Sequence, residues 1–396
     1  MKNAFQKTLF KSSNTIVSIR ADGSILVDGF NRAIEEMPNL SSSNLCNLSL
    51  EAGGKSPFIP CDASAGIRTF FIIAENGHVK QFGQNSDTEN YGAIHTESWN
   101  DIVEIVAKFH ALGLKKDGTA VASGYNDHGQ CNVSNWRNVD HIDCSLFFSA
   151  GIKKDGTVVF SGRHEGWIGN VASWKNIKSI FCESDYLLGI DSEGNVHYFG
   201  EKKDYIDTIT GWKKVVKIVG EWDNIAALTT DGTVLTIGDK AVKDNVRSWK
   251  DMIDIVWADR VVALDKNGHV FVGLDQAEPY HDYSDFNDRI WSNWKNIIKI
   301  ISFNMGFLAL AKDGSIKSCL RNMFSEELPK AKRWHCFSSF EKMDDEYENG
   351  FKFFKSKIEL ATELSSLHGL FTGKRRRKLK ELIAEADREL RKYSNN

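Results

Sequence analysis

Proline is scarce in this chain, with five among 396 residues. A proline removes a backbone donor, so its scarcity suits a fold of many paired strands. No run of about 18 apolar residues occurs, which excludes a transmembrane helix. Residues 1–11 carry no apolar core segment and do not read as a secretory signal. The seven cysteines (Cys46, Cys61, Cys131, Cys144, Cys182, Cys319 and Cys336) include no C-x-x-C pair and no Cys/His cluster. They read as buried small hydrophobes in a reducing cytosol, and the expected location is cytoplasmic. The formal net charge of -3 provides no global field for nucleic acid or membrane. None of the G-x-x-x-x-G-K-[ST], G-x-S-x-G, H-E-x-x-H or G-x-G-x-x-G signatures is present. No catalytic residue, cofactor or metal ligand is therefore assigned.

What the chain does contain is a repeat. Eight Asp-Gly-like dipeptides end in Gly23, Gly77, Gly118, Gly156, Gly194, Gly232, Gly268 and Gly314. Their spacings are 54, 41, 38, 38, 38, 36 and 46 residues. A fixed period of this length marks a repeat architecture. Each dipeptide lies between apolar runs rich in Val, Ile, Phe and Tyr, the signal of a β-hairpin with a two-residue turn. The apolar spacing is 2, which excludes a helical solenoid. A unit of about 38 residues accommodates four short strands, one blade of a β-propeller. The repeated Asp is explained by turn geometry.

Tryptophan opens most units: Trp99, Trp136, Trp174, Trp212, Trp249, Trp294 and Trp334. One large ring per repeat is what packing between blades demands, rather than a ligand platform. The block Ala111–Gln130, with Asp117-Gly118, Gly124 and Gly129-Gln130, resembles the repeat of regulator of chromosome condensation (RCC1-type) proteins. Gly83-Gln84-Asn85 and Tyr91-Gly92 carry part of the same block, and Cys131–Trp136 resembles bacterial members. The resemblance spans about residues 15–340 and implies a β-propeller, usually of seven blades; eight hairpins favour eight. It also departs: Gly-Gln is lost after residue 130, and the motif histidine survives only as His110. The fold class expected is all-β, a propeller of seven or eight RCC1-like blades followed by an α-helical hairpin. The first hairpin lacks a Trp-Lys-Asn strand before it, and residues 334–340 lack a hairpin after them; pairing the two would close the ring.

Three segments leave the repeat. Residues 30–66 form the longest insertion. Residues 275–293 are acidic and aromatic, and Tyr280, Asp282, Tyr283, Asp285, Phe286 and Trp291 are candidates for a partner-recognition loop; a solvated excursion over a blade edge is the other reading. After the propeller (1–340) and an acidic linker (341–349), residues 350–396 step apolar residues by 3 or 4, as an αα-hairpin does. Its tip carries Lys374, Arg375, Arg376, Arg377 and Lys378, within a segment of 12 Lys/Arg and 6 Asp/Glu. The tip is either solvated or a site for an anionic partner. The expected function is a non-enzymatic scaffold that binds a protein partner, with residues 350–396 as a second docking or self-association element. Nucleotide exchange on a small GTPase, which the resemblance suggests, and an enzyme or glycan-binding module built from propeller loops stand as alternatives.

Overall fold

The structure is a computed structural model. It describes residues 10–11, 15–19, 25–29, 60–65, 69–74, 76–82, 94–201, 203–238, 246–258, 260–273, 290–303, 306–312 and 316–320. Residues 350–396, the linker 341–349, and the Asp22-Gly23 and Asp313-Gly314 turns lie outside them.

Among the described residues there are eight three-stranded antiparallel sheets. The first holds β1 (Phe10–Lys11), β2 (Thr15–Ile19) and β3 (Ile25–Gly29). The second holds β4 (Pro60–Ala65), β5 (Phe70–Ala74) and β6 (Val79–Phe82). The third holds β7 (Ile102–Ala107), β8 (His110–Lys115) and β9 (Ala120–Gly124). The fourth holds β10 (Val139–Cys144), β11 (Phe148–Lys153) and β12 (Val158–Gly162). The fifth holds β13 (Ile177–Glu183), β14 (Tyr186–Asp191) and β15 (Val196–Gly200). The sixth holds β16 (Val215–Glu221), β17 (Asn224–Thr229) and β18 (Val234–Ile237). The seventh holds β19 (Met252–Trp257), β20 (Val261–Asp265) and β21 (Val270–Val272). The eighth holds β22 (Ile297–Phe303), β23 (Gly306–Ala311) and β24 (Ile316–Leu320).

Consecutive sheets touch through their first strands, from β4 with β7 to β19 with β22. β1 contacts both β4 and β22, so the series returns on itself. In the first sheet the place beside β2 is taken by Phe10–Lys11. Residues 334–340, the segment expected there from the sequence, lie outside the described residues. The unit also holds three strands, not four. The stretch between the last strand of one sheet and the first of the next is an irregular connection carrying the tryptophan. Before β16 it contains a helix, α1 (Lys203–Thr210), and Ile168 reaches β15 only as a single bridge to Gly200.

The tryptophans are packing elements. Trp99, Trp136, Trp174, Trp212 and Trp249 are all buried. Each wedges between one sheet and the next: Trp174 lies with Phe148, Ala150 and Ile152 of one sheet and Ile177, Ile180 and Cys182 of the other. Room for the ring comes from a glycine in the middle strand. A Cβ on Gly189 would sit 2.8 Å from the Trp174 ring, and one on Gly113 equally close to Trp99. Cys144, Cys182 and Cys319 are buried, as small hydrophobes would be.

The hairpin turns differ from the expected two-residue form. In the fourth sheet the Gly156 N–H donates to the Lys153 carbonyl and the Lys153 N–H to the Thr157 carbonyl. Three residues, Lys154, Asp155 and Gly156, therefore form the loop, and only glycine takes positive φ, at 79°. This is a type I turn closed by a left-handed glycine. Asp155 holds it by accepting from Thr157 N–H at 2.9 Å and Thr157 Oγ1 at 2.6 Å. Asp117 and Asp231 do the same for Thr119 and Thr233. Where Asp-Gly becomes Glu193-Gly194, Asp191 supplies the acceptor, to Asn195 N–H at 2.9 Å.

These turns also stitch neighbouring sheets. The residue before the first strand of the third to eighth sheets stands at positive φ: Asp101, Asn138, Asn176, Lys214, Asp251 and Asn296, all between 57° and 61°. The Gly156 carbonyl accepts from Ile177 N–H, and the Asn176 carbonyl accepts from Ser192 N–H. Equivalent bonds recur at each corner. The Trp-x-Asn motif, read from sequence as strand, is thus a left-handed corner, a conformation Asn and Asp tolerate better than most residues.

Candidate functional site

Of the residues singled out from sequence, Trp291 is placed in the core. It is 5% exposed, on a 3-10 turn (Ile290–Asn293), against Phe307, Ile297 and Val270. Trp291 therefore cannot serve as a partner contact; its ring fills the gap between the seventh and eighth sheets beside Trp294. Tyr280, Asp282, Tyr283, Asp285 and Phe286 lie outside the described residues, as do Lys374, Arg375, Arg376, Arg377 and Lys378.

The first strands meet around the axis in charged pairs. The third residue of successive strands carries Glu104, His141, Ser179, Lys217 and Asp254. His141 Nδ1 is 2.8 Å from Glu104, and Lys217 Nζ 2.6 Å from Asp254, each pair bridging adjacent sheets. Further along, Asp143 accepts from its neighbour Cys144 N–H at 2.8 Å and from Cys182 N–H of the next sheet at 2.9 Å. Desolvation raises its pKa, against the two N–H bonds, which lower it. These groups are satisfied by one another and read as inter-sheet staples.

Exposed chemistry gathers instead at the turns joining first to middle strands, the end of the ring opposite the Asp-Gly loops. Phe109 and Phe147 stand there, and an edge-to-face series runs Phe109, Tyr125, His128, Phe147 with centroid separations of 6.3, 5.8 and 5.4 Å. Arg163 lies over Phe147 at 5.8 Å and pairs with Glu201 at 3.1 Å. Glu201 also accepts from Trp167 Nε1 at 3.1 Å. Two sheets further round, Trp222 is 66% exposed with φ at 52°. Sequence reasoning missed Trp222 because it falls outside the one-per-repeat series; that irregularity was the available signal.

Closed contact between the first and eighth sheets through β1 decides the architecture. The molecule is a β-propeller. Each of its blades is one three-stranded sheet with the Trp-bearing connection that follows the preceding blade. Solved structures with a similar fold include the ectodomain of the Arabidopsis thaliana receptor kinase ACR4 (11% identity, 68% of this chain and 95% of that one, TM-score 0.42). Prp20p of Saccharomyces cerevisiae shares 14% identity over 63% of this chain and 79% of its own, with a TM-score of 0.43. The computationally designed Ika8 protein shares 14% over 79% and 95%, with a TM-score of 0.42. No protein-family model and no curated protein matches the chain.

One inter-blade contact has a catalytic look. His110 Nε2 lies 2.7 Å from Ser149 Oγ of the next blade. Both residues are 0% exposed, so no substrate reaches this pair, and it works as a polar joint. His110 Nδ1 is enclosed without a hydrogen-bond partner. Burial pushes the His110 pKa from 6.5 down to about 4. Between those values the unfolded chain binds a proton that the folded one rejects, so stability falls as pH drops from 6.5 towards 4. The loss should reach about 3 kcal/mol. Phe148 occupies the equivalent position in the next blade, each opposite a closing glycine. The double variant His110→Phe/Ser149→Ala should therefore flatten the dependence. Urea unfolding at pH 7 and pH 4.5 measures this; an unchanged slope would rule out His110 as its source. The turn carboxylates act lower. Hydrogen bonds from Thr229 and Thr233 bring Asp231 to about 2, so its contribution is lost only as pH falls from about 4 towards 2.

Among the described residues no group of three or more His, Cys, Asp or Glu could hold a metal ion. No described helix is long and apolar enough to cross a membrane.

Proposed function

We propose that this propeller is a non-enzymatic protein-interaction scaffold that binds its partner at the face formed by the turns between first and middle strands. The observation that carries the reading is Trp222, two-thirds exposed at a turn tip on that face. Tryptophan, with tyrosine and arginine, is enriched among binding hot spots, and the exposed part of an indole adds no apolar burial to the fold. The partly exposed arc from Phe109 to Phe147 gives the same face further aromatic area. Residues 350–396, read from the sequence as a helical hairpin with Lys374–Lys378 at its tip, are proposed as a second docking or self-association element.

Affinity capture from the native host tests both elements. Proteins held by the wild-type chain should be lost from Trp222→Gly, and an ionic, salt-sensitive part of that binding should be lost from Arg375→Glu/Arg376→Glu/Arg377→Glu. Capture unchanged by Trp222→Gly would overturn the face assignment. Capture unchanged by the triple variant at low salt would make the basic tip a solvated one.

A further inference from the structure

Trp222 sits in the two-residue turn between β16 and β17, closed by the register pair Glu221 and Asn224. Its φ of 52° is the left-handed region, which costs an aromatic residue about 1–2 kcal/mol. Glycine or asparagine would make this turn with less strain. Two local preferences are thus broken at one residue, the backbone conformation and the exposure of the indole, and such breaks concentrate at functional positions. The fold meanwhile fixes the tip. Tyr186 Oη of the preceding blade donates to the Trp222 carbonyl at 3.1 Å, and Gly220 packs too closely on Asn224 to carry a side chain.

The surroundings of the ring set the chemistry of what it meets. Glu221 precedes Trp222 and Asp223 follows it; the equivalent turn of the preceding blade reads Glu183-Ser184-Asp185. The Glu183 carboxylate is oriented by Ser184, whose N–H donates at 2.9 Å and whose hydroxyl donates at 3.2 Å. Burial raises the Glu183 pKa most, and the charge of Glu221, in the equivalent turn of the next blade, adds slightly to the rise. The field of Lys108 opposes that rise at Glu183. Arg163 is engaged with Glu201.

We propose that Trp222, with the carboxylates of Glu183 and Glu221, docks an arginine or lysine side chain from a basic segment of a partner protein. The cation stacks on the indole and pairs with the carboxylates of the two adjacent turns, a combination that uses the exposed ring and the acidic residues beside it together. An acidic segment meets repulsion at the same place. The proposal rests on the reading of this face as protein-binding, and it names the class of partner.

Fluorescence anisotropy with a labelled peptide alternating arginine and glycine tests it, with a glutamate–glycine peptide as control. Wild-type protein should bind the arginine peptide, more weakly as salt rises. Trp222→Gly, which relieves the turn and should melt no lower than wild type, should lose about tenfold or more in affinity. Glu183→Gln/Glu221→Gln should lose a similar factor with Trp222 in place. Equal arginine-peptide binding by wild type and Trp222→Gly, or equal binding of the two peptides by wild type, would overturn the cationic site. If host proteins are still lost from Trp222→Gly while the arginine peptide fails to bind, protein binding stands and the cationic site falls. If Trp222→Gly keeps those host proteins, both fall.

Discussion

Deleting residues 1–30 should cost the propeller its cooperative fold or lower its melting temperature by about 10 °C or more, whereas deleting residues 350–396 should shift it by about 2 °C or less. The asymmetry follows from where the first sheet stands. β1 touches β22 on one side and β4 on the other, and β2 also touches β4, so the N-terminal hairpin is the contact that turns a row of sheets into a ring. Removing it uncovers the faces where Leu308 and Leu310 of the eighth blade and Ile72 of the second are buried, since strand alternation turns Phe307 and Ala309 the opposite way, to the seventh blade, and Phe71 to the third. It also leaves two unpaired blade faces of the kind that invite association. The loss of a whole blade amounts to several kcal/mol against a folded state stabilised by about 5–15 kcal/mol. Calorimetry of the two truncations side by side decides the matter. A melting temperature for the N-terminal truncation within about 2 °C of the intact chain would mean that the ring does not depend on this sheet.

Much of this architecture was legible because the repeat is written in residues whose reasons are local. Gly77, Gly118, Gly156, Gly194, Gly232 and Gly268 all stand at positive φ, as the dipeptide spacing implied. Trp99, Trp136, Trp174, Trp212, Trp249 and Trp294 are packed between blades, as their regularity implied, and Trp334 lies outside the described residues. Other features could not be read because they arise between units. That Asn176 forms a corner rather than a strand depends on Gly156, twenty residues earlier, docking against its Cα. Trp291 looked like a loop residue because its acidic neighbours are those of an exposed segment, yet the 3-10 turn folds it under the seventh blade. Trp222 looked incidental because a single tryptophan outside the period carries no pattern; its exposure and its φ exist only in three dimensions. The charged pairs Glu104–His141 and Lys217–Asp254 likewise needed the blades to be set side by side.

The glycines of the hairpin turns offer a way to separate the two functions that one residue performs there. Gly156 and Gly166 have nearly the same φ, 79° and 78°. Their surroundings differ completely. A Cβ on Gly156 would lie 2.8 Å from Asn176 Cα and 2.9 Å from its nitrogen, both backbone atoms of the next blade, while a Cβ on Gly166 would meet nothing within 4 Å. Gly166→Val should therefore lose only the conformational part, about 1–2 kcal/mol for a β-branched residue in the left-handed region. Gly156→Val should lose that and more. Its side chain must push the corner of the following blade away, lengthening the bond from Ile177 N–H to the Gly156 carbonyl, now 2.9 Å, and overpacking a junction between rigid backbones. The total should be about 4 kcal/mol. Chemical denaturation of the two variants under identical conditions reads the difference directly. If both cost the same, the turn glycine serves φ alone and the blades are not locked through it. If Gly156→Val costs clearly more, the excess is the packing contribution of one inter-blade corner. The same corner recurs at Gly77, Gly194, Gly232 and Gly268, so replacement at any of them should carry a comparable excess, and a smaller one at Gly118, where the nearest atoms would lie at 3.2 Å.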